Sequence, residues 1–189
     1  MTVELIDHMG SDESVIRSML VSTKGRLAAE DKNETAMAGR INFLMKNRHG
    51  TPFECSAFTA CVHAPIKVWR EWHRHRIGFS YNEESGRYKQ LDPVFWLPPP
   101  ERPMIKADNW KPSAPVFRVA TPEEYGRISQ RLMVGYNHAY NLYQESLDDG
   151  VDPGLARDVL GVGIFSACYV TCNVRSMMSF LELRTKFED

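Results

Sequence analysis

From residue 56 to residue 65 the chain runs SAFTACVHAP, and this stretch decides the class of fold. Phe58, Ala60, Val62 and Ala64 alternate with Thr59, Cys61 and His63, the two-residue period of a strand with one buried face. Pro65 then opens a helical stretch from Ile66 to about His75, in which Ile66, Trp69 and His73 share one side. Just upstream, Thr51-Pro52-Phe53-Glu54 offers a Thr cap, a proline at the first helical position and a glutamate that can reach back, a capping-box pattern at the start of a turn. Further towards the N-terminus, Met37, Ile41, Leu44 and Met45 mark a helix that stops near Gly50. Before that, Val15, Ile16, Met19 and Leu20 form another helix capped by Asp12, and Val3, Leu5 and Ile6 form a short opening strand.

Downstream, residues 93–115 hold seven of the chain's 11 prolines, including Pro98-Pro99-Pro100, and predict a long irregular connection wrapped over the domain surface. Thr121-Pro122-Glu123-Glu124 repeats the capping signal and starts the longest helix, with Tyr125, Ile128, Leu132, Ala139, Tyr143 and Leu147 in one stripe up to Gly150. Asp152-Pro153 opens a short helix through Leu160. Ile164 to Cys172 predicts a buried strand, and Asn173 caps a last helix with Met177, Met178, Leu181 and Leu183. The succession of elements predicts one α+β domain over residues 1–189, a mixed sheet flanked by helices, rather than a regular βαβ winding.

Composition bounds the function. The chain has 189 residues, 43% of them hydrophobic, with 23 Lys+Arg against 24 Asp+Glu. A chain of this size and balance folds around a real core, and its near-zero net charge argues against general binding to nucleic acid or anionic membranes. The longest uncharged run, from Val159 to Val174, is too short and too polar to span a bilayer. The acidic N-terminal stretch lacks the pattern of an export signal, so a cytoplasmic location is expected. Cys55, Cys61, Cys168 and Cys172 match neither paired zinc knuckles nor a disulfide framework, and are most simply buried small hydrophobes.

The densest chemistry lies between Trp69 and Tyr88, where Arg70, Arg74, Arg76 and Arg87 accompany His73 and His75. Guanidinium groups present paired donors in the geometry that phosphate oxygens accept, although a solvated basic helix face has the same composition. Asn82, Glu83, Ser85 and Gly86 add donors and acceptors suited to a base edge. Trp69, Trp72, Phe79 and Tyr81 interleave with the cations as stacking platforms for single-stranded nucleic acid would, against which stand Glu83-Glu84 and the pI near 6.6. His49, His63, His73 and His75 lack an H-E-x-x-H spacing, and no metal is expected. Neither a Walker A loop nor a G-x-G-x-x-G occurs. Arg157, Arg175 and Arg184 form a second set of cations that helix-end ion pairs would also explain.

Three blocks resemble one family. Arg74-His75-Arg76, followed by Ser80-Tyr81-Asn82-Glu83 and Ser85-Gly86-Arg87-Tyr88, is similar to the signature of flavin-dependent thymidylate synthases. So are His49 with Thr51-Pro52-Phe53-Glu54, the strand ending in Ala64-Pro65, and Asn173-Val174-Arg175-Ser176-Met177-Met178 running into Leu183-Arg184. The resemblance covers essentially the whole chain in order. It implies that family's α+β fold, a homotetramer, and reductive methylation of dUMP at C5 to dTMP. Methylenetetrahydrofolate would be the carbon donor, FAD the hydride carrier and NADPH the reductant.

Carried over by position, Thr51, Glu54, Arg74, His75, Arg76 and Ile77 would line the FAD site together with Asn173, Arg175 and Leu183. Glu83, Ser85, Arg87, Arg157 and Arg184 would bind dUMP, and His49 would sit where folate approaches the flavin. Arg184, Ser85 and His49 are the expected catalytic set. C5 of uracil is a poor nucleophile, so an enzyme must either add a thiolate at C6 or stabilise negative charge on the ring, and the second is the part expected of Arg184. None of the cysteines lies in the Arg74 to Tyr88 segment, so no thiolate nucleophile is expected. Departures from the family pattern are one extra residue between Arg76 and Ser85, Glu71 in place of a Gln, Ser179 in place of an Asn, and an apparently short C-terminus at Phe187-Glu188-Asp189. The alternative is a catalytically impaired nucleotide-binding or regulatory homologue that retains the dUMP pocket.

Overall fold

The structure, a computed structural model, describes residues 1–25 and 33–185. The C-terminal residues Phe187, Glu188 and Asp189 lie outside the described residues. The chain divides into two compact units, one of Met1–Ala64, Trp69–Glu83 and Ala167–Asp189, the other of Pro65–Val68 and Glu84–Ser166.

The first unit is built on a four-stranded sheet. Its strands are β1 (Thr2–Met9), β2 (Ala57–Pro65), β3 (Phe79–Glu83) and β6 (Phe165–Asn173), in the order β1-β2-β6-β3. β1 runs antiparallel to β2 and β3 antiparallel to β6. The alternation expected of residues 56–64 is realised in β2, where Ala60, Val62 and Ala64 are buried between half-buried neighbours. β6 repeats it with Cys168, Val170 and Cys172 inside and Tyr169 and Thr171 outside. α1 (Asp12–Lys24) and α2 (Glu34–Lys46) add Val15 and Leu44 to a cluster with Phe53, against which Met19, Ile41, Val174 and Met178 pack. α6 (Val174–Arg184) follows β6 directly, and Asn173 caps it as expected, its side chain accepting from Ser176 N at 2.8 Å.

The second unit centres on α4 (Pro122–Asp148), whose capping box of Thr121 and Glu124 forms as the sequence predicts. Its buried stripe of Tyr140 and Tyr143 meets Ala156 in α5 (Pro153–Ala156), with Phe95, Leu147, Val151 and Leu160 around them. Tyrosines of α4 fix the proline-rich stretch and the residue Leu91 just before it. The Tyr140 hydroxyl donates to the Leu91 carbonyl at 2.9 Å, the Tyr143 hydroxyl accepts from Leu91 N at 3.2 Å, and the Tyr125 hydroxyl donates to the Pro98 carbonyl at 3.0 Å. Side chains thus satisfy backbone groups that a proline-rich segment cannot pair by itself.

The α+β class holds, and several local expectations change. The helix opening at Pro65 ends earlier, as α3 (Ile66–Trp72), so Arg74, His75 and Arg76 lie in the turns that follow. Residues 79–83, for which the sequence alone predicts no element, form the edge strand β3, made by antiparallel pairing of Phe79–Glu83 with Cys168–Cys172 of β6. The proline-rich stretch contains β4 (Pro103–Lys106), which pairs with β5 (Phe117–Val119) in a small separate ladder. Ser11, not Asp12, is the cap of α1, with Ser14 completing the box. The stretch from Asp152 to Leu160 is α5 followed by a 3-10 turn, Arg157–Val159. Thr51–Cys55 is a single 3-10 turn without the expected capping box, since Glu54 is engaged elsewhere. Cys55, on that turn, is exposed and Cys61 half-buried, so only Cys168 and Cys172 fit the expectation of buried cysteines.

Candidate functional site

In the first unit, three contacts tie distant candidates together. The guanidinium of Arg175 forms an ion pair with Glu54. Its stem lies over Gly50, where an added Cβ would come within 2.6 Å of Arg175 Nε. The second contact is between Arg184 and His75, with Nε and Nη2 at 3.2 and 3.1 Å from His75 Nε2. The third joins the turn after the Arg-His-Arg triplet to the start of α6. Gly78, at φ +69°, passes so close that a Cβ there would stand 2.1 Å from Ser176 Oγ and 2.9 Å from Asn173 Nδ2. Only a residue without a side chain takes both that backbone angle and that approach.

The triplet is embedded in aromatic rings. Trp69, 1% exposed, stacks on Trp72 and His73, and Trp72 stacks on Phe180 at 4.8 Å. His73 meets Tyr81 edge-on at 4.7 Å, and the Tyr81 hydroxyl donates to the carbonyl oxygen of His75 at 2.6 Å, with that of Trp72 at 3.1 Å. Burial, followed by the neighbouring Cys172 and Cys168, pushes the Tyr81 hydroxyl up to about 12, so it remains a donor. Among the described residues, Trp72 Nε1 and His73 Nε2 are buried without a hydrogen-bond partner. These rings make the wall from which Arg74, Arg76 and Ile77 project. Arg74 pairs with Glu71 at 3.5 Å at the surface, and Ile77 and Leu183 stand 90% and 71% exposed. Arg74, Arg76, Ile77 and Leu183 are therefore not gathered with the other candidates.

A cleft of about 510 Å³ opens beside the Thr51 turn, lined by Ser18, Ser22 and Thr23 of α1, Phe43 of α2, and His49, Thr51 and Pro52. His49 stacks on Phe43 at 6.0 Å, and Gly50, which carries Arg175, lies between two lining residues. Met19 and Leu44 complete a largely apolar lining, and the Ser22 and Thr23 hydroxyls donate to the Met19 and Leu20 carbonyls at 2.8 and 3.3 Å, so Ser18, Thr51, His49 and the adjoining Arg175 are the polar groups with a donor to offer; the volume falls within the ~300–1,000 Å³ of small-ligand sites. The sequence pointed to His49 and Thr51 but not to Ser18 and Ser22, since serines on an exposed amphipathic helix carry no signal of their own.

Glu83 closes β3 opposite Cys168. Of the remaining candidates, Ser85, Arg87 and Arg157 belong to the second unit. Ser85 Oγ accepts from Arg87 N at 3.3 Å, and its carbonyl accepts from Tyr88 N at 3.0 Å, which folds residues 85–88 into a tight turn. The stem of Arg157 lies 3.2 Å from the position of a Cβ on Gly86, and that of Arg87 lies 3.5 Å from one on Gly154. Two arginines are thus laid across two glycines, and among the described residues neither meets a carboxylate within ion-pair distance. Arg87 Nη2 donates to the Tyr88 hydroxyl at 2.8 Å and its guanidinium lies 5.1 Å over that ring, so its charge is held without being neutralised, a setting that suits an anion.

Cys168 and Cys172 are raised to about 11, both chiefly by burial. Neither is a thiolate near neutral pH. Among the described residues no group of three or more His, Cys, Asp and Glu side chains is arranged to hold a metal ion, and no helix is long and apolar enough to cross a membrane.

Residues 4–188 match the family model described as thymidylate synthase complementing protein. A flavin-dependent thymidylate synthase of Streptomyces coelicolor is 44% identical over 189 residues, covering 99% of this chain and 76% of the relative. One of Tropheryma whipplei is 44% identical over 185 residues, covering 97% and 76%. Among solved structures, the UMP/dUMP methylase PolB of Streptomyces cacaoi bound to 5-Br UMP superposes with a TM-score of 0.85 at 36% identity, covering 100% of this chain and 78% of that one. With this agreement in sequence over nearly its whole length, and with the arginine, glycine and cap positions of the expected blocks in contact, the chain belongs to the flavin-dependent thymidylate synthases, a family of methyltransferase enzymes.

Proposed function

We propose that the protein converts dUMP to dTMP by reductive methylation at C5, with methylenetetrahydrofolate as carbon donor, FAD as hydride carrier and NADPH as reductant, in the cytoplasm. The observation that carries this reading is Arg184, whose guanidinium rests on a neutral acceptor instead of a carboxylate. Such a group keeps its full charge for a ring that must accumulate negative charge, and it is worth most where water is excluded.

When bound, FAD supplies the hydride chemistry. Thr51, Glu54, His75, Asn173 and Arg175 would hold it, with Arg74, Arg76, Ile77 and Leu183 adding to the site from the exposed side. Ser18 and Thr51 of the cleft, with the adjoining Arg175, would offer donors to its phosphoryl groups. For dUMP, Arg87 and Arg157 with Ser85 would bind the phosphate, and Glu83 and Arg184 the nucleoside. His49 would orient the folate. The chain's part is to fix geometry and field; it provides no nucleophile.

We also infer a homotetramer with flavin sites shared between subunits. Every residue of the edge strand β1 is exposed, with Val3 72%, Leu5 61% and Met9 62%. An uncovered apolar edge of this kind is what proteins hide by association. The test is direct. Purified protein should be yellow, sediment as a tetramer with FAD bound, and release tritium from C5-labelled dUMP as dTMP forms. A monomer that binds FAD stoichiometrically would refute the assembly, and binding of dUMP without any tritium release or dTMP would refute the activity in favour of a non-catalytic homologue.

A further inference from the structure

We propose that His75 is a positioning residue for Arg184, an uncharged tether that fixes the guanidinium while leaving its charge intact; this rests on the reading of Arg184 as the group that meets the pyrimidine. Arg184 Nε and Nη2 lie 3.2 and 3.1 Å from a single atom, His75 Nε2. Arginine has donors only, so that nitrogen is the acceptor, and the ring is neutral with its proton on Nδ1. The two donors form one edge of the guanidinium, and one lone pair straddles them. The far end, with the two N–H groups of Nη1 and one of Nη2, is left over for an incoming acceptor.

The partner's chemistry matters. A carboxylate in place of His75 would neutralise the charge and would have to be displaced by a much weaker carbonyl acceptor. α6 shows both arrangements. Arg175 is ion-paired with Glu54, whereas among the described residues no carboxylate lies within ion-pair distance of Arg184. The imidazole is itself held. Phe180 meets it edge-on at 4.9 Å and 76°, Phe79 lies at 6.5 Å, and its own carbonyl accepts from the Tyr81 hydroxyl at 2.6 Å. Phe180 precedes Arg184 by one helical turn, so the same side of α6 that grips the ring also delivers the guanidinium to it.

Calorimetry of dUMP binding to the FAD-loaded protein decides the matter, on wild type, His75→Phe, His75→Gln, Arg184→Ala and the double variant His75→Phe/Arg184→Ala. His75→Phe should weaken binding roughly tenfold, the loss of one charge-assisted hydrogen bond that orders the group. His75→Gln, whose amide oxygen offers an acceptor at similar reach, should recover affinity to within about twofold. In the Arg184→Ala background, His75→Phe should add nothing. Equal losses from His75→Phe in both backgrounds, or none in either, would overturn the tether. Unchanged affinity in Arg184→Ala would instead reject the reading of Arg184 itself. Should His75→Phe fail to retain FAD, His75→Gln is compared with His75→Asn, whose shorter amide does not reach; equal affinities of those two variants would overturn the proposal.

Discussion

Gly78→Ala tests the join between the Arg-His-Arg turn and α6. Gly78 has φ +69°, and holding an alanine in that left-handed region costs about 1–2 kcal/mol. The new Cβ would sit 2.1 Å from Ser176 Oγ, 2.9 Å from Asn173 Nδ2 and 3.1 Å from Ser176 Cβ. Rotating the hydroxyl relieves only the first of these. The other two require α6 or its cap to shift, and losing the Asn173 bond to Ser176 N adds about 1 kcal/mol. The sum is about 2–3 kcal/mol, or a melting temperature lower by roughly 4–12 °C in a chain of this size. The assay is thermal melting by circular dichroism at fixed protein and FAD concentration. Gly150→Ala is the control, because Gly150 has φ +79° with nothing within 4 Å of an added Cβ. It isolates the backbone term. If Gly78→Ala melts no lower than Gly150→Ala, the close approach to the cap is not there and the reasoning fails.

Other outcomes follow from contacts already described. Arg184→Ala should weaken dUMP binding or slow tritium release from C5 by far more than the ~1 kcal/mol of a surface pair, with flavin absorbance retained; near-normal values in both would make Arg184 structural. A folded variant with all four cysteines replaced should still form dTMP, and in the native parent iodoacetamide should label Cys55 but not Cys168 or Cys172, which are raised to about 11. Loss of dTMP formation in a folded, flavin-bound single cysteine variant, together with a dUMP adduct on that residue by mass spectrometry, would install a thiolate mechanism. Hydrogen bonds from Arg118, then from the Thr121 backbone, hold Glu124 down at about 2 against an ordinary 4.5. Because the folded value is depressed, its contribution to the start of α4 is complete above about 4.5 and is lost as pH falls towards 2. An NMR titration should show that midpoint, and Arg118→Ala should raise it. Tyr143→Phe leaves the N–H of Leu91 unpaired in a buried setting and should cost about 1–3 kcal/mol by urea denaturation, against little for exposed Tyr88→Phe.

Elements with strong local signals were legible from the sequence. The alternation at 57–64 and the Thr121-Pro122-Glu123-Glu124 box need no tertiary context to act. β3 was not legible, because residues 79–83 mix two aromatics with Ser80, Asn82 and Glu83, and only pairing with β6 makes them a strand. The Thr51 capping box failed for the opposite reason: a local pattern lost to a distant ion pair, since Arg175 takes the Glu54 carboxylate. For the candidate site, motif order identified the residues but not their partners. Nothing in the spacing of His75 and Arg184 announces a contact across 109 positions, and Phe180 would have required knowing which side of α6 faces the ring.

Arg175 and Arg184 also set a phase. They are nine residues apart on one helix, which amounts to two and a half turns and about 13.5 Å of rise. The two guanidiniums therefore leave α6 on opposite sides, one towards Glu54 and the other towards His75. Point substitutions between them leave that relation untouched. A single deleted or inserted residue turns one arginine by about 100° against the other and breaks one attachment whichever way the helix settles. The stretch between them thus works as a ruler: its length sets the phase of the two arginines, separately from the packing roles of Ser176, Met178 and Phe180 within it.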